Sequence, residues 1–372
     1  MSNIEALQAK LPDEACGALI TSDVSRRYFC GFKSSAGVIL VTKEQSYLII
    51  DSRYFDKAKQ RVTDCRVILL EDMRTQLSEL LLKHDIRRLM LESDYMTLSE
   101  FAAYKEQLHF VELDATSWLS DFIWGMRIIK TAEEVKLIVK AQRIAEKAFE
   151  RLVDNIHRDM TEKQVAALLN YYMMDLGADD LSFETIAASG VNSASPHAVP
   201  TDKKLQEGDF LTLDFGAVVD SYHSDMTRTL AVGTISPEQE KLYNAVYYAN
   251  LDGIKAVKPG INGKVVDSVA RATLAAWGGY DKYFGHGLGH GVGLEIHEQP
   301  TLSQRSRSML KPGMIVTVEP GAYISGKFGV RIEDMVVVTE NGCDNLTKST
   351  KNLIHIEFFN IFRKKVLKNQ AK

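Results

Sequence analysis

The sequence predicts an α/β N-terminal domain followed by an α+β domain. Three observations carry this. The chain has 372 residues, too long for one ordinary hydrophobic core. Its first ~120 residues alternate short apolar runs with amphipathic stretches, the pattern of helices layered on a sheet. From Thr131 onward, helical spacing dominates and is broken by a few strand-like segments.

In the first part, residues 17–21, 37–42, 46–51, 65–70 and 88–92 read as strands. The amphipathic stretches 53–60, 74–84 and 97–108 between and after them read as helices. The segment 119–130 carries Trp124 and Gly125 before the pattern changes, which places a boundary near residue 125.

Thr131 with Glu134 then forms a capping box, in which each side chain satisfies the other residue's free backbone N–H. Behind it Val135, Ile138, Val139, Ile144, Ala148, Phe149 and Leu152 recur at helical spacing. Thr161 with Gln164 repeats the device and opens a second helix ending at Gly177. A third begins at Ser236 with Pro237 at the first helical position, where the missing N–H does no harm. A fourth covers 262–277 and stops at Gly278 and Gly279. Strands are expected over 210–219, 224–232, 314–318 and 331–338. Two helices, strands, two helices and strands suggest a duplicated α+β unit, on element order alone. The expected organisation is therefore 1–125, 126–357 and a basic tail over 358–372.

Composition narrows the class. With 45% hydrophobic and 25% charged residues the chain is ordinary globular protein. A net charge of −4 disfavours a broad nucleic-acid footprint. No run approaches the ~20 apolar residues that span a bilayer, and the first thirty residues, with Glu5, Asp13 and Glu14, do not read as a signal peptide. Cys16, Cys30, Cys65 and Cys343 have no CxxC spacing, which fits reduced thiols in a cytoplasmic protein.

Chemistry concentrates in the second part. Leu211, Leu213 and Phe215 alternate toward a core, so Asp214 faces the open side of its strand. Asp225 follows eleven residues later, past a turn at 219–221, and can lie beside it. Two adjacent aspartates stay ionised together only with positive charge between them; taken alone, the pair reads equally well as a salt bridge and a turn cap. His286, His290 and His297 stand among five glycines, residues that let backbone approach a site closely, and imidazole is a metal ligand or proton carrier. His84, His109, His157, His223 and His355 have no such surroundings. Glu319 ends an apolar strand before Pro320 and Gly321, and Arg331 and Glu333 share one side of another strand. Four carboxylates and one histidine suit a pair of divalent ions, and oxygen-rich donors with a single nitrogen favour manganese-like metals. Two-metal sites of this type hold ions ~3.5–4 Å apart and generate a bridging hydroxide.

The order, spacing and flanking residues of Asp214, Asp225, His286, His290, His297, Glu319 and Arg331–Glu333 resemble the pita-bread metallopeptidases, the family of aminopeptidase P, prolidase, methionine aminopeptidase and creatinase. The resemblance runs over roughly residues 130–350. The first part resembles the creatinase-type N-terminal domain, including the stretches at 28–32 and 51–54, a domain that methionine aminopeptidases normally lack. Two departures stand out: no glycine precedes Tyr222 in the 220–223 stretch, and the C-terminal tail exceeds the family's usual end.

The resemblance implies two divalent metals, manganese first with cobalt or zinc possible, held by Asp214, Asp225, His290, Glu319 and Glu333. It implies that Glu319 also shuttles a proton, that His197 contacts the substrate near its carbonyl and that His297 stabilises the tetrahedral intermediate. His286 then corresponds either to a residue that supports the metal ligands from behind or to a proline-pocket residue. Arg331 orients carboxylates or reaches the substrate's carboxyl end, the latter favouring dipeptides, and Tyr323 joins that network. The implied activity is hydrolysis of the peptide bond before proline in Xaa-Pro dipeptides or short peptides by a homodimer that binds neither membrane nor nucleic acid. A metal-free creatinase-like amidinohydrolase and a non-catalytic pita-bread binding module are the alternatives. The first has no use for four converging acids, and the second predicts substitutions at ligand positions, of which there are none.

Overall fold

The computed structural model describes residues 1–157 and 159–356. Contacts divide the chain into two compact units, one spanning Met1–Arg127 and the other beginning at Ile128.

The first unit runs α1 (Asn3–Lys10), β1 (Cys16–Ile20), α2 (Asp23–Cys30), β2 (Val38–Val41), β3 (Ser46–Ile50), α3 (Ser52–Arg61), β4 (Arg66–Leu69), α4 (Met73–Lys83), β5 (Arg88–Leu91), α5 (Leu98–Gln107), β6 (Glu112–Asp114) and α6 (Trp118–Arg127). The strands form one mixed sheet in the order β4-β3-β2-β1-β5-β6. Ile39, Val41, Leu48 and Ile50 pack into one apolar cluster, while Val38, Leu40, Tyr47 and Ile49 pack into another. Both faces are therefore covered, which is why β2 and β3 read as unbroken apolar runs. Three helices lacked a sequence expectation: α1, α2 and α6. The stretch around Trp124, read as a boundary, is helical because Leu119 and Ile123 face the first cluster.

The second unit opens with α7 (Ala132–Asn155) and α8 (Glu162–Asp175), both started by the expected capping boxes. Strands β7 (Asp180–Leu181), β8 (Ile186–Ser189), β9 (Phe210–Phe215), β10 (Ala217–Val219), β11 (Tyr222–His223) and β12 (Met226–Val232) follow. Helices α9 (Pro237–Ala256) and α10 (Gly263–Ala276) come next. After them are β13 (Gly289–Gly291), β14 (Glu298–Leu302), β15 (Ile315–Val318), β16 (Gly321–Ile324), β17 (Phe328–Arg331), β18 (Asp334–Val338), β19 (Cys343–Asn345) and β20 (His355–Ile356). Two larger sheets result, β20-β12-β9-β8 and β14-β13-β15-β18-β19. Each contains a central antiparallel pair, β9 with β12 and β15 with β18. The first pair packs Leu211, Leu213, Phe215, Met226 and Leu230 into one core, and the second packs Val316, Val318 and Val336 into another.

Two expected strands are broken. The segment 210–219 splits at Gly216, because the chain leaves one sheet for the small β11-β10-β7 sheet there. A side chain at Gly216 would collide with the Ser224 carbonyl, so only glycine allows this crossing. The segment 331–338 splits after Arg331, since β17 pairs with β16 while β18 pairs with β15. Arg228, 2% exposed, pins the bend: Nη1 donates to the Glu333 carbonyl at 2.7 Å and Nη2 to Asp334 Oδ1 at 2.8 Å. The strand expected over 224–232 begins only at Met226. Among the described residues no helix is long and apolar enough to cross a membrane. The basic stretch 358–372 lies outside the described residues.

Candidate metal centre and active site

The two antiparallel pairs deliver their carboxylates from comparable places. Asp225 immediately precedes β12, and Glu333 immediately precedes β18. Asp214 sits on β9, opposite Thr227, with its neighbours Leu213 and Phe215 turned into the core. Glu319 follows β15 directly, its N–H bonded to the Leu288 carbonyl at 2.8 Å. His290 is the middle residue of β13, a three-residue strand between β14 and β15. A side chain at Gly289 would run into the Thr317 carbonyl, so glycine permits the close approach that carries His290 to the acids.

These side chains converge on a cavity of about 570 Å³. Single ligand atoms of Asp225, His290 and Glu333 all lie within 4.8 Å of one another. His290 Nε2 is 3.4 Å from Glu319 Oε1 and 3.6 Å from Asp225 Oδ2. Its Nδ1 is 3.0 Å from the Gly291 carbonyl, which can only accept, so Nδ1 carries the proton and the Nε2 lone pair points at the carboxylates. Burial pushes His290 down to about 4, which keeps the ring neutral as a ligand must be.

The acids are electrostatically crowded. Burial, then repulsion from Glu333, Asp214 and Glu319, lifts Asp225 well above the usual carboxylate range. Burial with repulsion from Glu319 and Asp214 does the same to Glu333. Glu319 is pushed up to about 8, chiefly by burial. Three enclosed oxygens, Asp214 Oδ1, Asp225 Oδ1 and Glu333 Oε1, have no hydrogen-bond partner among the described residues. Unpaired buried carboxylate oxygens are costly unless a cation fills the space between them. The donor set therefore fits divalent metal.

Behind the acids lies a second network. Arg331, 3% exposed, donates from Nη2 to Asp214 Oδ2 at 2.6 Å, from Nε to Thr227 Oγ1 at 3.1 Å, and from Nη1 to the Pro196 carbonyl at 3.2 Å and to the Tyr323 hydroxyl at 2.8 Å. Thr227 in turn donates to Glu333 Oε2 at 2.7 Å. His286 Nδ1 faces the Gly287 carbonyl at 2.8 Å, so Nε2 accepts from the Tyr323 hydroxyl at 3.0 Å. Burial pushes His286 down to about 4, consistent with that neutral ring. Tyr323, 9% exposed, stands behind His286 and Arg331. His197 and His297 are exposed on the cavity wall, His297 with its ring centroid 4.5 Å from that of His290.

Thr227 and Thr317 were missed by the sequence reading, although Thr317 bonds both the His290 N–H at 3.1 Å and Glu319 Oε1 at 3.3 Å. A signal for Thr227 existed: Asp225, Thr227 and Thr229 alternate, so a buried polar stripe shares one face with the acid.

A two-core α+β unit closing on a carboxylate cluster with one neutral histidine defines the class of metal-dependent hydrolases. Residues 136–340 match metallopeptidase family M24, and residues 3–129 match the creatinase/prolidase N-terminal domain. The chain belongs to metallopeptidase family M24 and has its pita-bread fold. It is 38% identical to a protein named Xaa-Pro dipeptidase from Pyrococcus horikoshii, over 90% of this chain and 93% of that one. A solved Xaa-Pro dipeptidase from Bacillus anthracis superposes with a TM-score of 0.90 at 40% identity, covering 95% of this chain and 98% of that one. An X-Pro aminopeptidase from Thermotoga maritima superposes with a TM-score of 0.87 at 37% identity, covering 92% and 98%.

Proposed function

We propose that this metallopeptidase hydrolyses the bond preceding proline at the N-terminus of dipeptides or short peptides, using two divalent ions. The observation that carries the reading is the set of three partnerless carboxylate oxygens in the cavity that His290 lines with an unprotonated Nε2. The names of its relatives support the proline specificity. Asp214, Asp225, His290, Glu319 and Glu333 hold the ions, with manganese favoured by oxygen-rich donors and a single nitrogen. Ions bound there would supply Lewis acidity for the scissile carbonyl and for a water.

The protein's own groups do the rest. A peptide bond to proline is a tertiary amide, whose nitrogen must gain a proton before it leaves. Glu319 takes a proton from the attacking water and returns it to that nitrogen. His297 donates to the oxygen on which negative charge develops, and His197, also in the cavity lining, contacts the same carbonyl. His286, held by Tyr323, forms the side of the slot for the proline ring. Arg331 keeps Asp214 in place. Four free thiols, two of them buried, favour a reducing cytoplasm, and a homodimer is the expected assembly.

The test is a panel of Ala-Pro, Ala-Pro-Ala and Ala-Ala-Ala with chelated and Mn²⁺-loaded protein. Turnover of the proline peptides alone, and only with metal, is expected. Equal rates on Ala-Ala-Ala would remove the proline specificity, and full activity in metal-free buffer would remove the mechanism.

A further inference from the structure

The cavity must also accommodate whatever follows the proline, and its charges differ sharply from what a free dipeptide needs. In a dipeptide the C-terminal carboxylate sits one residue beyond the scissile bond, inside the same cavity. A carboxylate taken from water without a partner is strongly disfavoured. Among the described residues that line the cavity, Arg331 is the one lysine or arginine. Its guanidinium is already bonded to Asp214, Thr227, Tyr323 and the Pro196 carbonyl, and the residue is 3% exposed. The lining also carries an exposed acid, Glu184, and neutral hydroxyls at Thr301 and Ser303. The rim adds an apolar surface in Val199, 72% exposed. A volume of about 570 Å³ lies in the ~300–1,000 Å³ range of ligand pockets.

From this lining we infer that the enzyme acts on peptides that continue past the proline, in preference to free Xaa-Pro dipeptides. The inference rests on the proposed proline-directed hydrolysis and adds its substrate class. A continuing chain places a neutral amide where the dipeptide places a charge. The hydroxyls of Thr301 and Ser303 can bond that amide, and the next side chain rests on Val199. Arg331, the one lysine or arginine among the described residues of the lining, acts on Asp214.

The experiment measures kcat/KM of the Mn²⁺-loaded full-length protein on Ala-Pro, Ala-Pro-amide, Ala-Pro-Ala and Ala-Ala-Ala. The amide differs from Ala-Pro only by the missing carboxylate. Ala-Pro-amide and Ala-Pro-Ala should both exceed Ala-Pro by at least about tenfold, the cost of an unpaired buried charge. The gap should narrow in Glu184→Gln, where the repelling carboxylate is gone, and at high salt, which screens it. Ala-Pro turned over as fast as its amide would overturn the inference and leave proline-directed hydrolysis standing. No preference for Ala-Pro-Ala over Ala-Ala-Ala would instead remove the proline reading, and this inference with it.

Discussion

Arg331 Nη2 lies 2.6 Å from Asp214 Oδ2, and the other oxygen of the same carboxylate, Oδ1, is enclosed without a partner. One oxygen is thus anchored while the other stays unpaired at the cavity that Asp225 and Glu333 also line. Because the anchor is a planar fork that also grips Thr227 and Tyr323, lysine cannot reproduce it. Arg331→Lys should weaken metal binding about 10–100-fold, the usual effect of losing a group that orients a ligand. Titration against a chelating indicator dye reads this directly; unchanged affinity would mean that Asp214 needs no anchor.

Tyr323 links Arg331 to His286 through one hydroxyl. Tyr323→Phe keeps the ring and removes both bonds, leaving His286 Nε2 without a donor. Metal content after dialysis should stay at the wild-type level while kcat/KM on a proline peptide falls at least about tenfold, in line with the loss of two buried hydrogen bonds. Loss of metal in this variant would place the tyrosine among the groups that hold the ions.

His290 and His297 stack edge to face with centroids 4.5 Å apart, yet different roles are proposed for them. His290→Ala should release metal on dialysis. His297→Ala should retain it and lose rate by about 10²–10³, as when an oxyanion donor is removed. The opposite pattern of metal loss would exchange the two assignments.

Stability should depend on pH in opposite ways with and without metal. Glu319 is raised by burial from its ordinary 4.5 to about 8, and Asp225 and Glu333 are raised as well. A carboxyl raised in the folded state contributes stability that is complete below its unfolded value and is lost as pH rises through the folded one. The metal-free protein should therefore lose melting temperature between about pH 4.5 and pH 8. A divalent cation replaces those protons, so the gain in melting temperature on adding Mn²⁺ should grow across the same window. Scanning fluorimetry in chelator and in Mn²⁺ at several pH values tests this, and a gain that shrinks with rising pH would contradict it.

Local signals in the sequence proved sufficient where local physics decides. The capping boxes at Thr131 and Thr161 start helices as expected, and alternation through Leu211, Leu213 and Phe215 places Asp214 on the open face. The breaks at Gly216 and after Arg331 were invisible, because each segment keeps a strand-like pattern while its pairing partner changes. Strand β13 was also unreadable: a Gly-His-Gly run has no apolar period, and its conformation is imposed by the flanking strands. Thr227, which braces Arg331 behind Asp214, escaped notice for a related reason. Arg331 meets Thr227 from 104 positions away, and no spacing rule reaches that far.

Asp214 and Asp225 are carried by strands that pack into one apolar core, whereas His290, Glu319 and Glu333 are carried by strands that border a different one. An ion gripped by members of both sets would add a cross-link between two sheets that Thr227 and Arg228 already tie together through Glu333 and Asp334. Its effect should reach well beyond its ligands: amide hydrogens in β9 and in β15 should slow their exchange together on metal binding, although neither strand's core touches the ion. In the metal-free protein the carboxylates that repel one another work against those ties, so local opening around the site should become easier.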